Sequence, residues 1–116
     1  MVDKNILQTL SRAEWEGIND LADQICEEIA DAEKYAKWAL AVKDDMPTVA
    51  QTLYTISGQE LTHASMLHDL VARAISDYKA KHGDPPADML TLYKYLHGKQ
   101  IDKTERVKRY QEMYKA

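Results

Sequence analysis

The chain has 116 residues, 45% of them hydrophobic and 29% charged, which argues against wholesale disorder and fits a single domain over 1–116. A formal net charge of −4 argues against nucleic acid as the main partner, because phosphate binding demands clustered Lys and Arg. The lone Cys26 rules out an intrachain disulfide, a Cys-based zinc site and an iron–sulfur site, and is expected to act as a small buried apolar residue.

No run of about 18 apolar residues is present to span a membrane, and the first residues form no apolar signal core. The expectation is a cytoplasmic protein with no membrane partner.

Glycine and proline are few and grouped, the pattern of long helices with few joints. Ser11 with Glu14 makes a capping box, so a first helix is expected to start there. Ile18, Leu21, Ile25, Ala32, Tyr35, Ala39 and Val42 follow at helical spacing. The stretch Asp44-Asp45-Met46-Pro47 breaks it, with Asp45 as the expected N-cap of the next helix.

That second helix is expected from about Met46 to about Lys81, with a stripe of Leu53, Ile56, Leu67, Leu70 and Ala74. Gly58 inside it costs up to about 1 kcal/mol relative to alanine and is read as a close approach by another helix. Gly83-Asp84-Pro85-Pro86 ends the helix. A short helix over about Ala87 to His97, closed by Gly98, and another opening at Asp102 with Glu105 and running to about Tyr114 complete the chain. The basic residues Lys103, Arg106, Lys108 and Arg109 are interleaved with acids and read as a solvated helix face.

No strand pattern competes, so the fold class is all-α. It is a long antiparallel helical hairpin over about 11–82 plus two short helices in a C-terminal extension over about 84–116.

Glu28 lies on the apolar stripe of the first long helix, and Glu60-Leu61-Thr62-His63 places a Glu-x-x-His set on the stripe of the second. Ionisable groups on buried faces are costly unless compensated. Taking Asp45 as the centre of the turn, Glu28 lies 17 residues before it, Glu60 15 after and His63 18 after. The three are therefore expected in one layer of the hairpin, with Glu60 and His63 one turn apart. Carboxylates are hard anionic ligands and imidazole a nitrogen ligand, a set suited to iron or manganese. Asp31 is a candidate auxiliary ligand beside them, although it and Glu27 are more simply solvated or helix-pairing residues.

A complete di-metal site in a helical bundle takes four carboxylates and two imidazoles, and one chain supplies half of that. His68, His82 and His97 have no carboxylate three residues before them, so no second Glu-x-x-His exists. Two chains about a two-fold axis restore the count. A homodimer closing a four-helix bundle, or a higher even oligomer, is thus an expectation of the metal reading.

The segment Glu28-Ile29-Ala30-Asp31-Ala32-Glu33-Lys34-Tyr35, with Glu60-Leu61-Thr62-His63-Ala64, resembles the ferritin-like superfamily, in particular rubrerythrin-type helix pairs. The likeness covers about residues 20–75 and is nearest to half-ferritins such as encapsulated ferritins, in which two chains build one centre. The resemblance implies Glu28, Glu60 and His63 as ligands of a di-iron site, with manganese as an alternative, and ferroxidase-type oxidation of Fe(II) by oxygen or peroxide. The chain lacks a rubredoxin-like cysteine site. The run from Asp84 to His97 looks faintly like small ferritin-like proteins of phage and prophage genomes.

The competing expectation is a non-catalytic helical assembly or structural protein. In it Glu28, Glu60 and His63 form a buried hydrogen-bonded cluster that fixes helix register, or hold a structural metal. Tyr35 and Trp38 read as core aromatics, the methionines as gap-fillers, and His68 as an exposed or interfacial residue.

Overall fold

The computed structural model describes residues 4–116 and is all-helical, with no strand among the described residues. Three helices follow one another: α1 (Lys4–Val42), α2 (Pro47–His82) and α3 (Ala87–Lys115). They form a rod 68 Å long and 19 by 17 Å across. None of the described helices is long and apolar enough to cross a membrane.

α1 is the central helix. Its buried seam positions are Trp15, Ile18, Ala22, Ile25, Ile29, Ala32, Ala36 and Ala39, alternating steps of three and four as helix-pairing seams do, with Asn19 and Cys26 also buried. α2 runs antiparallel to it. Lys81 pairs with Glu14, Tyr78 packs edge-on against Trp15, and Ser57 Oγ donates to the Ala32 carbonyl at 2.7 Å. The α2 side of the seam is Ala50, Leu53, Ser57, Ala64, Val71 and Tyr78. Many of these seam residues are small, which lets the helix axes approach closely.

α3 runs parallel to α1 along its other flank. Trp15 Nε1 and Asn19 Nδ2 both donate to the Met89 carbonyl at 3.3 Å, Gln100 Nε2 donates to the Ala22 carbonyl at 2.9 Å, and Arg106 meets Glu33 at 2.9 Å. Cys26 is buried, as expected of a small apolar residue; its thiol donates to the Leu96 carbonyl, and burial pushes its pKa up. At the far end Lys43 reaches the Tyr114 and Ala116 carbonyls, and Tyr54 stacks on Tyr114.

Four sequence expectations need correction. The helix over Ala87–His97 and the one from Asp102 are a single helix, α3, which runs through Gly98. Leu96 and Gln100, both buried against α1, bracket that glycine, and their packing outweighs a cost of about 1 kcal/mol. α1 begins at Lys4, ahead of the Ser11–Glu14 pair, because residues 4–10 contain no breaker. The Ser11 hydroxyl instead bonds the Tyr78 hydroxyl, and Glu14 holds Lys81 and His82, so an expected cap became a set of ties between helices.

The N-cap of α2 is Met46, with no side-chain cap, and Asp45 lies in the turn. Gly58 marks no close approach, since a Cβ placed there meets nothing within 4 Å. Gly83 does have a conformational reason: its φ of 77° ends α2 in a region that side chains disfavour.

Candidate metal centre

The residues at the flank of the α1–α2 seam repeat every seven positions. On α1 they are Leu21, Glu28, Tyr35 and Val42, all half-buried. On α2 they are Glu60, Leu67 and Ala74, also half-buried, in line with buried Leu53. Glu28 and Glu60 occupy corresponding places in these two rows. Helical geometry at about 100° per residue sets this flank on the side of the hairpin away from α3.

Glu28, Glu60 and His63 come together as expected, each offering one ligand atom within 4.8 Å of the others. His63 Nδ1 lies 3.8 Å from Glu28 Oε2 and 3.9 Å from Glu60 Oε2. The layer is right in height and wrong in depth. Both glutamate side chains are 20% exposed and His63 is 56% exposed, so the group sits on the rim of the seam, open to one side. The cause is α3: α1 packs against helices on two flanks, and its core turns toward Ala22, Cys26 and Ala36. The α2 core runs through Ser57 and Ala64, which leaves Glu60 and His63 beside it.

The two carboxyls are linked. The Glu60 carboxyl hydrogen-bonds Glu28 and holds the Glu28 pKa below the ordinary range, with the Gln24 amide and His63 acting in the same direction against partial burial. Glu60 moves the opposite way. Sharing with Glu28, partial burial and the charge of Glu28 raise its pKa, with a smaller push from Asp31 and opposition from His63. Of the two, Glu60 is therefore the carboxyl that takes up a proton first as pH falls. Like charges in one site cannot both remain ionised cheaply.

Asp31 is exposed and stands outside the converging three, near enough for its charge to reach Glu60. Gln24 was not picked out in the sequence, yet its Nε2 donates to Glu28 Oε1 at 3.2 Å. The one signal for it was its place four residues before Glu28. Trp38 is 48% exposed and so is no core aromatic, whereas Tyr35 is half-buried. His68 is exposed and stacks on His97 of α3, away from the three ligand candidates.

The donor set fits a metal. Two ligand atoms bound to one ion at about 2.1 Å each lie at most about 4.2 Å apart, and both histidine–carboxylate separations fall under that. They are too long for hydrogen bonds, so the imidazole points at the carboxylates without bonding either. No family model, curated protein or solved structure matches this chain.

Proposed function

We propose that this chain binds a pair of iron or manganese ions at a centre completed by a second copy of itself, with Glu28, Glu60 and His63 from each copy as ligands. The observation that carries the reading is the convergence of two carboxylates and an imidazole that do not satisfy one another through the histidine. Two further features support it. The group opens to the side away from α3, and half-buried Leu21, Tyr35, Leu67 and Ala74 continue along the same two rows. A second hairpin laid there would complete both the ligand count and the burial.

In this reading Glu28 and Glu60 supply the negative charge that offsets the ions, and His63 supplies the nitrogen ligand on the same face as Glu60. Binding competes with protonation of Glu60, whose pKa Glu28 and partial burial raise. A bound di-iron pair supplies one-electron redox chemistry toward oxygen or peroxide, which makes Fe(II) oxidation the activity to assay.

A second reading, a helical assembly module with no catalytic metal, is favoured by the Gln24 amide that already occupies Glu28 Oε1 and by the direct interaction of the two carboxyls, which their opposite pKa shifts register without an ion. The deciding experiment is metal content and mass in solution after purification with iron or manganese present. About two ions per pair of chains, lost in Glu60→Ala and His63→Ala, support the metal centre. A stable monomer with no bound metal overturns it. Metal binding with Fe(II) oxidation no faster than in buffer retains the site and removes the enzyme.

A further inference from the structure

We infer that Gln24 is a positioning residue for this centre, fixing the Glu28 carboxylate so that one chosen oxygen faces the ligand space. The inference rests on the metal reading above. The side-chain amide of Gln24 donates to Glu28 Oε1 at 3.2 Å. The other oxygen, Oε2, is the atom 3.8 Å from His63 Nδ1. The two oxygens therefore have different tasks: one is occupied by an amide, the other is presented.

The terminal torsion of a glutamate is broad, and Glu28 lies at a rim where neighbours pack it on one side only. On α1 itself no other hydrogen bond to this carboxylate is formed among the described residues. The Gln24 amide is thus the donor, one turn back on the same helix, that holds the orientation. A neutral amide suits the task, because a lysine there would compete with the ions and a glutamate would repel Glu28. Donors that orient metal ligands govern affinity although they never touch the metal.

An exposed Gln–Glu pair four residues apart on a helix is also a common minor stabiliser of the helix alone. Affinity and stability separate the two roles. The test is Mn(II) titration of Gln24→Leu and Gln24→Glu against the wild-type chain, with the Mn(II) electron paramagnetic resonance spectrum, the mass in solution and the melting temperature of the metal-free protein measured alongside. Gln24→Leu is expected to weaken Mn(II) binding by roughly 10- to 100-fold and to broaden the bound spectrum, with melting temperature and mass unchanged. Gln24→Glu, which removes the donor and adds a charge, is expected to weaken binding as well. Wild-type affinity in Gln24→Leu overturns the inference and leaves the metal centre standing. A loss matched by an equal fall in stability or a change in mass also overturns it. Absence of Mn(II) binding by the wild-type chain overturns the metal reading itself, and the role of Gln24 with it.

Discussion

Glu28 Oε2 on α1 and Glu60 Oε2 on α2 converge on His63 Nδ1, at 3.8 and 3.9 Å, across the open flank of the hairpin, and the two carboxyls push each other's pKa in opposite directions, Glu28 down and Glu60 up. The sign of the pH dependence follows from the two shifts. The raised Glu60 pKa contributes stability to the metal-free protein at low pH, and that contribution is lost as pH rises through the folded-state value. The lowered Glu28 pKa contributes above the ordinary glutamate range and is lost as pH falls through its own folded-state value. The form with Glu28 ionised and Glu60 protonated is therefore most favourable between the two folded-state values. Metal affinity runs one way only: it is expected to increase as pH rises through the Glu60 value, with proton release on binding. Thermal unfolding of the metal-free protein over a pH series, and Mn(II) titrations over the same series in an indicator dye, check both.

Glu60→Gln separates folding from metal binding. An amide reproduces the protonated carboxyl, since its NH2 can still donate to Glu28, and it carries no charge to repel its neighbour. The metal-free variant is expected to melt at or slightly above the wild-type temperature at neutral pH while binding no metal. Thermal unfolding with and without added Mn(II) reads both. A variant that is clearly less stable without metal would mean that the ionised Glu60 matters to the fold, against the upward direction of its pKa.

Three residues before Glu60, Ser57 ties all three helices. Its hydroxyl, fully buried, donates to the Ala32 carbonyl at 2.7 Å and accepts from Gln111 Nε2 of α3 at 3.0 Å. Ser57→Ala removes both bonds and leaves the half-buried Gln111 amide without its partner. A loss of about 1–2 kcal/mol is expected, seen as a lower midpoint in urea with an unchanged slope.

The height of the candidate site along the hairpin was legible because residue counting from the Asp45 turn depends only on helical rise. Its depth was not. Reading burial from side-chain size favours Ile56, Leu67 and Leu70, whereas the true seam passes through Ser57 and Ala64, small residues that let α1 approach. A pattern read on one hairpin also cannot register α3, which claims the other flank of α1 through Ala22 and Cys26. Ser11 with Glu14 shows a similar limit: the spacing is that of a cap, yet both side chains found partners 67 residues away on α2. Gly98 was read as a stop because composition alone does not show the tertiary packing that carries a helix through it.

Gly98 is exposed inside α3, its φ is negative, and a Cβ placed on it meets nothing within 4 Å. The glycine therefore costs helix propensity without relieving any crowding. Gly98→Ala is expected to stabilise the protein by up to about 1 kcal/mol. The rise in melting temperature is the readout. A fall would show that something packs against this turn, a second chain being the first candidate.

Leu70 decides whether the open flank is an interface. It stands seven residues after His63 on the same face of α2 and is 44% exposed, with neighbouring Met66 65% exposed. Neither is among the seam residues, so a charge at Leu70 has no buried cost within one chain. In a lone hairpin Leu70→Glu is expected to change the melting temperature little, as surface substitutions do. In a pair of hairpins meeting at Glu28, Glu60 and His63, the same charge enters the contact and must be desolvated. The expected outcome is conversion of the dimer to monomer by sedimentation, with loss of bound metal in step, although every ligand residue is intact. Retained metal in a monomeric variant would place the whole centre within one chain and remove the need for a partner. Dimers that survive the change would put the contact elsewhere, with the groove between α2 and α3 over Ile25, Leu61 and Ala64 as the next surface to mutate.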